Sequence, residues 1–186
     1  RIYKNGKFIS ETQYTYNENG QISTKGYKKN NILVGQTDYH YTENDYLRSE
    51  LNWTADERDG KSSWWYENGQ IELEENYKVG KLDGKWTSWF ENGQIKQDRS
   101  YKDGALDGKW TTWFENGQIE QEMNWKGDKK DGKWTTWFEN GQKSSEGNYI
   151  YGWRDGKYTE WYENGRIEQE RNYKDGKLDG KWTTWF

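Results

Sequence analysis

His40, set between Tyr39 and Tyr41, is the one imidazole in this 186-residue chain, which has no Cys. General acid–base chemistry needs a titratable group held beside a second one, and His40 has no thiol to activate. It reads as a surface or edge-strand residue, and no catalytic residue is assigned. Carboxylates are plentiful, Glu120 with Glu122 for example, but they recur at the same places along the chain, as a solvated face does and a catalytic pair does not. The stretch Lys102-Asp103-Gly104-Ala105-Leu106-Asp107-Gly108 has the oxygen ligands calcium takes, yet its spacing fits no EF-hand, and turn chemistry alone explains Asp-Gly. No metal and no cofactor is expected. One further set of side chains could do chemistry: Trp65, Trp89, Trp113, Trp137, Trp161 and Trp185, a ladder of flat rings. Such rings bind sugars, apolar side chains or lipid. They also stack on one another and on Lys stems to shield a sheet without any ligand.

Composition narrows what can carry that ladder. Lys and Arg number 28 against 32 Asp and Glu, a net charge of −4, which argues against a grip built on phosphate neutralisation and hence against nucleic acid. With 7 Leu, 9 Ile, 2 Val and 5 Phe, the usual core formers are about an eighth of the chain, a shortage that at 32% charge would suggest disorder. The 14 Trp and 15 Tyr reverse that reading, because most of the apolar material is amphipathic ring. No stretch approaches 18 apolar residues, and no signal-peptide pattern is present. Without Cys the redox compartment is open, and a secreted or cell-surface location is favoured over a cytoplasmic one.

The ladder exists because the chain repeats. Asp-Gly recurs at Asp59, Asp83, Asp107, Asp131, Asp155 and Asp179, each 24 residues after the last, with Glu-Asn-Gly in step at Glu67, Glu91, Glu115, Glu139 and Glu163. The unit reads DGKWTTWFENGQIEQEMNWKGDKK from Asp107 to Lys130. Upstream the pattern decays through Tyr3-Lys4-Asn5-Gly6, Glu18-Asn19-Gly20 and Glu43-Asn44-Asp45. Residues 1–58 are therefore expected to be degenerate repeats or a cap, and 59–186 one continuous repeat domain.

Asn-Gly between alternating runs is the preferred pair for a two-residue type I′ turn. Hairpins are expected to turn at Asn68-Gly69, Asn92-Gly93, Asn116-Gly117, Asn140-Gly141 and Asn164-Gly165. Counting outward, Glu115 opposes Gln118, Phe114 opposes Ile119, Thr112 opposes Gln121 and Trp110 opposes Met123. One face then carries Trp110, Thr112, Phe114, Ile119 and Met123, the better core, where Trp86, Trp134, Tyr158 and Trp182 join Trp110. The other carries Lys109, Thr111, Trp113, Glu120 and Glu122, polar but for one ring. Asp-Gly, with Gly104 and Gly108, is expected in a longer return loop. The fold class that follows is all-β: an elongated, single-layer antiparallel β-hairpin array with a 24-residue repeat, whose seven or so hairpins would give a rod of roughly 65 Å.

The runs GKWTTWFENGQIEQEMNWK and GKYTEWYENGRIEQERNYKDGKLDG resemble the variant MORN repeat of bacterial proteins, including the YwqK-family antitoxins, repeat by repeat from Asp59 to Phe186 and more loosely before. The resemblance implies a single sheet of antiparallel hairpins and partners that are usually other proteins, with membrane lipid proposed for the wider family. A lesser likeness is to choline- and glucan-binding surface repeats, whose units are shorter. The function expected is a non-enzymatic scaffold for protein–protein interaction, antitoxin- or immunity-like. The alternative is a cell-surface glycan or lipid binder working through the aromatic ladder, with Thr111, Glu120 and Glu122 supplying polar contacts beside the rings. The last strand, Lys181–Phe186, stops where its Asn-Gly turn is due, so end-to-end self-association is also expected.

Overall fold

The computed structural model of the chain describes residues 2–4, 7–29 and 32–186. Asn5 and Gly6 of the first degenerate turn lie outside the described residues. The chain forms two units, Arg1–Gly84 with Glu91–Gly93 and Lys85–Phe90 with Gln94–Phe186.

In the first unit the strands are β1 (Ile2–Lys4), β2 (Lys7–Tyr16), β3 (Ile22–Lys29), β4 (Ile32–Tyr41), β5 (Leu47–Thr54), β6 (Glu57–Arg58), β7 (Gly60–Trp65) and β8 (Ile71–Lys78). Each pairs antiparallel with the strand before it, except that β5 takes both β6 and β7. Strand β9 (Lys81–Trp89) passes out of this unit after Gly84. The second unit continues with β10 (Ile95–Lys102), β11 (Ala105–Leu106), β12 (Gly108–Trp113), β13 (Ile119–Lys126), β14 (Lys129–Trp137), β15 (Lys143–Ile150), β16 (Trp153–Arg154), β17 (Gly156–Trp161), β18 (Ile167–Lys174), β19 (Lys177–Leu178) and β20 (Thr183–Thr184). Among the described residues there is no helix, and the fold is all-β: open antiparallel sheet built of hairpin repeats.

The turns exchange the types expected of them. At Asn116-Gly117 only the glycine takes positive φ, at 84°. Gly117 N bonds Phe114 O at 2.9 Å and Phe114 N bonds Gln118 O at 2.8 Å, so the loop is three residues, a type I turn closed by a left-handed Gly. The type I′ turns lie at the other end of the hairpins: Asp103 and Gly104, both at positive φ, connect Lys102 to its partner Ala105. Val79-Gly80, Tyr151-Gly152 and Asp175-Gly176 do the same with a first residue near 50°. The repeat-marking Asp-Gly is therefore in no return loop. Asp107 and Gly108 sit in a bulge between Leu106, which faces Tyr101, and Thr111, which faces Asp98. Gly108, at φ 113°, lets the strand step over Ser100, whose Cβ would lie 3.2 Å from an added Cβ.

The three-residue loop should have slipped the ladder by one residue. It does not, because a second irregularity follows: Trp113 faces Ile119 while Thr112 faces Gln121, leaving Glu120 as an extra residue. The two shifts cancel. Trp110 meets Met123 and Thr112 meets Gln121 as expected, whereas Ile119 moves from Phe114 to Trp113.

Among the described residues no conventional core forms: the buried apolar side chains are Leu51, Met123 and Tyr149, and the other buried side chains are hydroxyl residues such as Thr37, Ser62, Thr87, Thr135 and Thr159. Thr111 and Thr112, successive and hence on opposite faces, are 5% and 3% exposed. Both faces thus bury a hydroxyl residue at the centre of the strand. The buried apolar residues Leu51, Met123 and Tyr149 lie on the face of Trp110 and the Lys–carboxylate pairs on the other, as expected of an apolar and a polar face. In a single layer only a short side chain can be buried, because its long neighbours on the adjoining strands close over it.

Candidate functional site

The turn residues form one constellation. Asn116 Oδ1 accepts from Gln118 N at 2.9 Å within its own loop, while Asn116 Nδ2 donates to Glu139 O of the next loop at 3.1 Å. Asn140 repeats both bonds, with Gln142 N and Glu163 O, and so does Asn68, with Gln70 N and Glu91 O. Asn164 Oδ1 accepts from Arg166 N. The Gln side chain then lies under the following glycine: Gln94 Oε1 would be 3.2 Å from a Cβ on Gly117, and Gln118 Oε1 2.5 Å from one on Gly141. Asn92-Gly93 keeps the same geometry, with Gly93 at φ 86°. Turn is braced to turn, which fixes the spacing of everything the strands carry.

The expected ladder lies just inside those turns. Trp65, Trp89, Trp113, Trp137 and Trp161 are half-buried, and Trp185 is exposed. Trp65, Trp113 and Trp161 face Ile71, Ile119 and Ile167, and Trp137 faces Lys143, whose Nζ also lies 5.9 Å from the Trp161 ring. The polar side chains proposed beside the rings have internal partners: Thr111 is buried, Glu120 accepts from Thr112 Oγ1 at 3.0 Å, and Glu122 pairs with Lys109. Ion pairs of the same kind recur along this face at Lys85 with Asp98, Lys133 with Glu146, and Lys157 with Glu170. The Lys143 and Lys133 bonds outweigh burial and hold the Glu146 carboxyl below its usual range.

The opposite face carries a band that the sequence reading did not single out. Trp53, Tyr77, Tyr101, Trp125, Tyr149 and Tyr173, 24 residues apart, stand near the far end of the second strand of each hairpin. They meet Trp110, Trp134 and Tyr158: ring centroids lie 5.7 Å apart for Trp110–Trp125, 5.2 Å for Trp134–Tyr149 and 6.2 Å for Tyr158–Tyr173. Cations interleave. Arg99 is 4.4 and 4.1 Å from the Trp86 and Trp110 rings, Lys130 is 3.4 Å from Trp134, and Arg154 is 4.1 Å from Tyr158. Arg171 lies over Trp182 at 4.9 Å, and Arg58 lies over Trp53, Trp64 and Tyr77. Burial, with Arg154 adding like charge, lowers the Lys130 pKa. Burial works against the Arg154 charge too, but the Tyr149 and Tyr173 hydroxyls accept from its guanidinium at 3.0 and 3.3 Å and raise its pKa. The Nε1 atoms of Trp110, Trp125 and Trp134 and the Nε atoms of Arg99 and Arg171 are buried with no acceptor among the described residues. The band is a row of donors. Its signal was the aromatic recurring at the end of each second strand, and pairing register was needed to see which cations share its face.

His40 is exposed and faces Ser49. Among the described residues no three potential metal ligands come together.

The MORN repeat variant model matches residues 58–78, 82–103, 106–126, 130–151 and 154–175. This chain belongs to the MORN repeat variant family. Such repeats form a structural scaffold and serve in protein or membrane-lipid interactions. Comparison with curated proteins finds no match. Among solved structures the chain is similar to a protein of unknown function from Bacteroides fragilis NCTC 9343, 9% identical over 88% of this chain and 91% of that one, with a TM-score of 0.19. A likeness that distant bears on neither fold nor function.

Proposed function

We propose that this MORN variant array is a non-catalytic scaffold that holds another protein, acting by sequestration as an antitoxin or immunity protein does, outside the cell or at its surface. The aromatic and cationic band carries this reading: Arg99, Lys130, Arg154 and Arg171 stand on one strip of rings. Donors in that density suit a partner segment rich in carboxylates. The second unit adds direction, since exposed Glu115, Glu139 and Glu163 line its turn edge while Lys102, Lys126, Lys129, Lys174 and Lys177 line the other. The ladder of Trp113, Trp137 and Trp161 is then a packing row on the ion-paired face.

Capture from an extract of the native source, compared between the natural chain and a Lys130→Gln, Arg154→Gln variant, tests this. A protein lost by about tenfold from the variant supports it, since a tenfold change is about 1.4 kcal/mol of binding. Equal capture by both overturns it. Capture of glycan or of vesicles, lost on Trp113→Ala with Trp137→Ala, would establish the alternative reading of the ladder.

A further inference from the structure

Two successive positions in the column of Trp110, both in the first unit, carry no ring: Asp38 and Ser62. Asp38 faces Leu51 and Gln36 faces Trp53, as Trp110 faces Met123 and Gly108 faces Trp125 three 24-residue periods later. Asp38, like Ser62 one period on, thus stands where the repeats from Trp86 onward hold Trp86, Trp110, Trp134, Tyr158 and Trp182. Trp110, Trp134 and Tyr158 pack on the aromatic at the end of the next strand, 5.7 Å away for Trp110 on Trp125. Trp53 keeps its place without the partner. The consequence is a cavity of about 410 Å³ in the first unit, bounded by Leu33, Gln36, Asp38, Trp53 and Asp56.

The lining of this hole determines what could fill it. Asp38 and Asp56 bring two carboxylates, and no cation lines the cavity. The bonds that Asp38 Oδ1 accepts come from neutral groups, Gln36 Nε2 at 2.6 Å and Thr24 Oγ1 at 3.3 Å, and neither carboxylate has an ion-pair partner among the described residues. The indole Nε1 of Trp53 is buried and unbonded. A neutral apolar ligand would leave both carboxylates unpaired, and an anion would be repelled. A planar cation suits the carboxylates and the ring, since it can stack on an indole face and offer paired N–H donors to a carboxylate. Each unit already sets a guanidinium on rings, at Arg58 beside Trp53 in the first and at Arg99 between Trp86 and Trp110 in the second.

We infer that this cavity is a guanidinium site, in which an arginine group takes the place of the missing ring, stacked on Trp53 and held by Asp38 with Asp56 as the second carboxylate. The site is separate from the band of the second unit and stands or falls independently of it.

Titration of the whole chain with arginine amide, with lysine amide, and with a short neutral peptide carrying one arginine tests the inference. Calorimetry and the indole N–H resonance of Trp53 are the readouts. Saturable one-to-one binding of arginine amide near the millimolar range is expected, tighter than lysine amide. Asp38→Asn should weaken it by about tenfold or more, the scale of a lost charge-assisted bond. Asp38→Trp should abolish it while keeping or raising the melting temperature, because the indole refills the hole. Tighter binding of the peptide than of arginine amide identifies a partner's side chain as the natural occupant, and equal binding identifies a free small molecule. No saturation by either arginine probe up to about 10 mM, or binding that survives Asp38→Trp, overturns the inference.

Discussion

The hairpins that carry Trp53 and Trp125 share one pairing register and differ in their flanking rings, Asp38 and Ser62 standing in the first where Trp110 and Trp134 stand in the second. In the second, Trp110 and Trp134 both face Met123, which is 4% exposed, and Trp110 stacks on Trp125. In the first, Asp38 leaves Trp53 uncovered on one side and a cavity opens. A globular protein would fill such a loss from the layer above. A single-layer sheet has no layer above, so each side chain is covered only by its neighbours along the ladder. The two regions also differ in charge. Tyr77 lies between Arg58 and Glu75, whereas Tyr173, at the equivalent place, lies between Arg154 and Arg171.

The largest expected effect concerns what the two regions have in common, their braced turns. Gly141→Val should destabilise the chain by about 3 kcal/mol, combining a β-branched residue at positive φ with a clash against Gln118. Gly20, also left-handed but with nothing within 4 Å of an added Cβ, should tolerate Ala better than Gly141 does. Denaturant melts showing the two glycines to be equally sensitive to Ala would break the claim that the Gln side chain matters.

Next comes the ring itself. Trp110→Ala recreates at Trp125 the gap that Asp38 leaves at Trp53, and should cost about 2 kcal/mol, less than the 3 to 5 typical of a fully buried ring, because Trp110 is half-buried. Trp113→Ala should cost nearly as much, since Trp113 is half-buried too and packs across from Ile119. A Trp113 variant as stable as the natural chain would instead return that ladder to the binding column.

The smallest effect is electrostatic. Burial, then the bond to Glu75, pushes the Tyr77 phenol up to about 12 from a usual 10. A raised folded pKa means a contribution fully present below pH 10 and lost as pH climbs toward 12. At Tyr173 burial raises the pKa, but bonds from Arg171 and Arg154 outweigh it and bring it below the usual range. Its contribution is present above pH 10 and is lost as pH falls through the folded pKa. Ultraviolet titration should therefore lose a late-ionising phenol in Tyr77→Phe and an early one in Tyr173→Phe. The reverse order would contradict the charge environments assigned to the two regions.

The strand pairing was legible because Asn-Gly and alternation count the same residues that the ladder does. Thr112 met Gln121 as counted even though the loop type was mistaken, since the bulge at Glu120 restored the residue that the three-residue turn removed. The exchange of turn types was not legible: Asn-Gly and Asp-Gly both tolerate positive φ, and only the closing bonds distinguish a left-handed pair from a single left-handed glycine. The rings of the ladder were found by period. The cations of the opposite band were not, because Arg58, Lys130 and Arg154 share one column irregularly with Leu82, Leu106 and Leu178 and show no period of their own.

The sequence by itself determined that this chain is a β-hairpin repeat, through a 24-residue period and glycines placed where left-handed backbone is required. It also placed the aromatic rows, because a fixed period carries each position onto its equivalent in the next hairpin. Only the tertiary structure decided that both faces bury a hydroxyl residue at the centre of the strand, that the Trp113 row packs beside ion pairs, and that a charged cavity opens at Asp38. Those outcomes depend on side chains that meet across strands and between repeats, where a bulge of one residue changes what faces what.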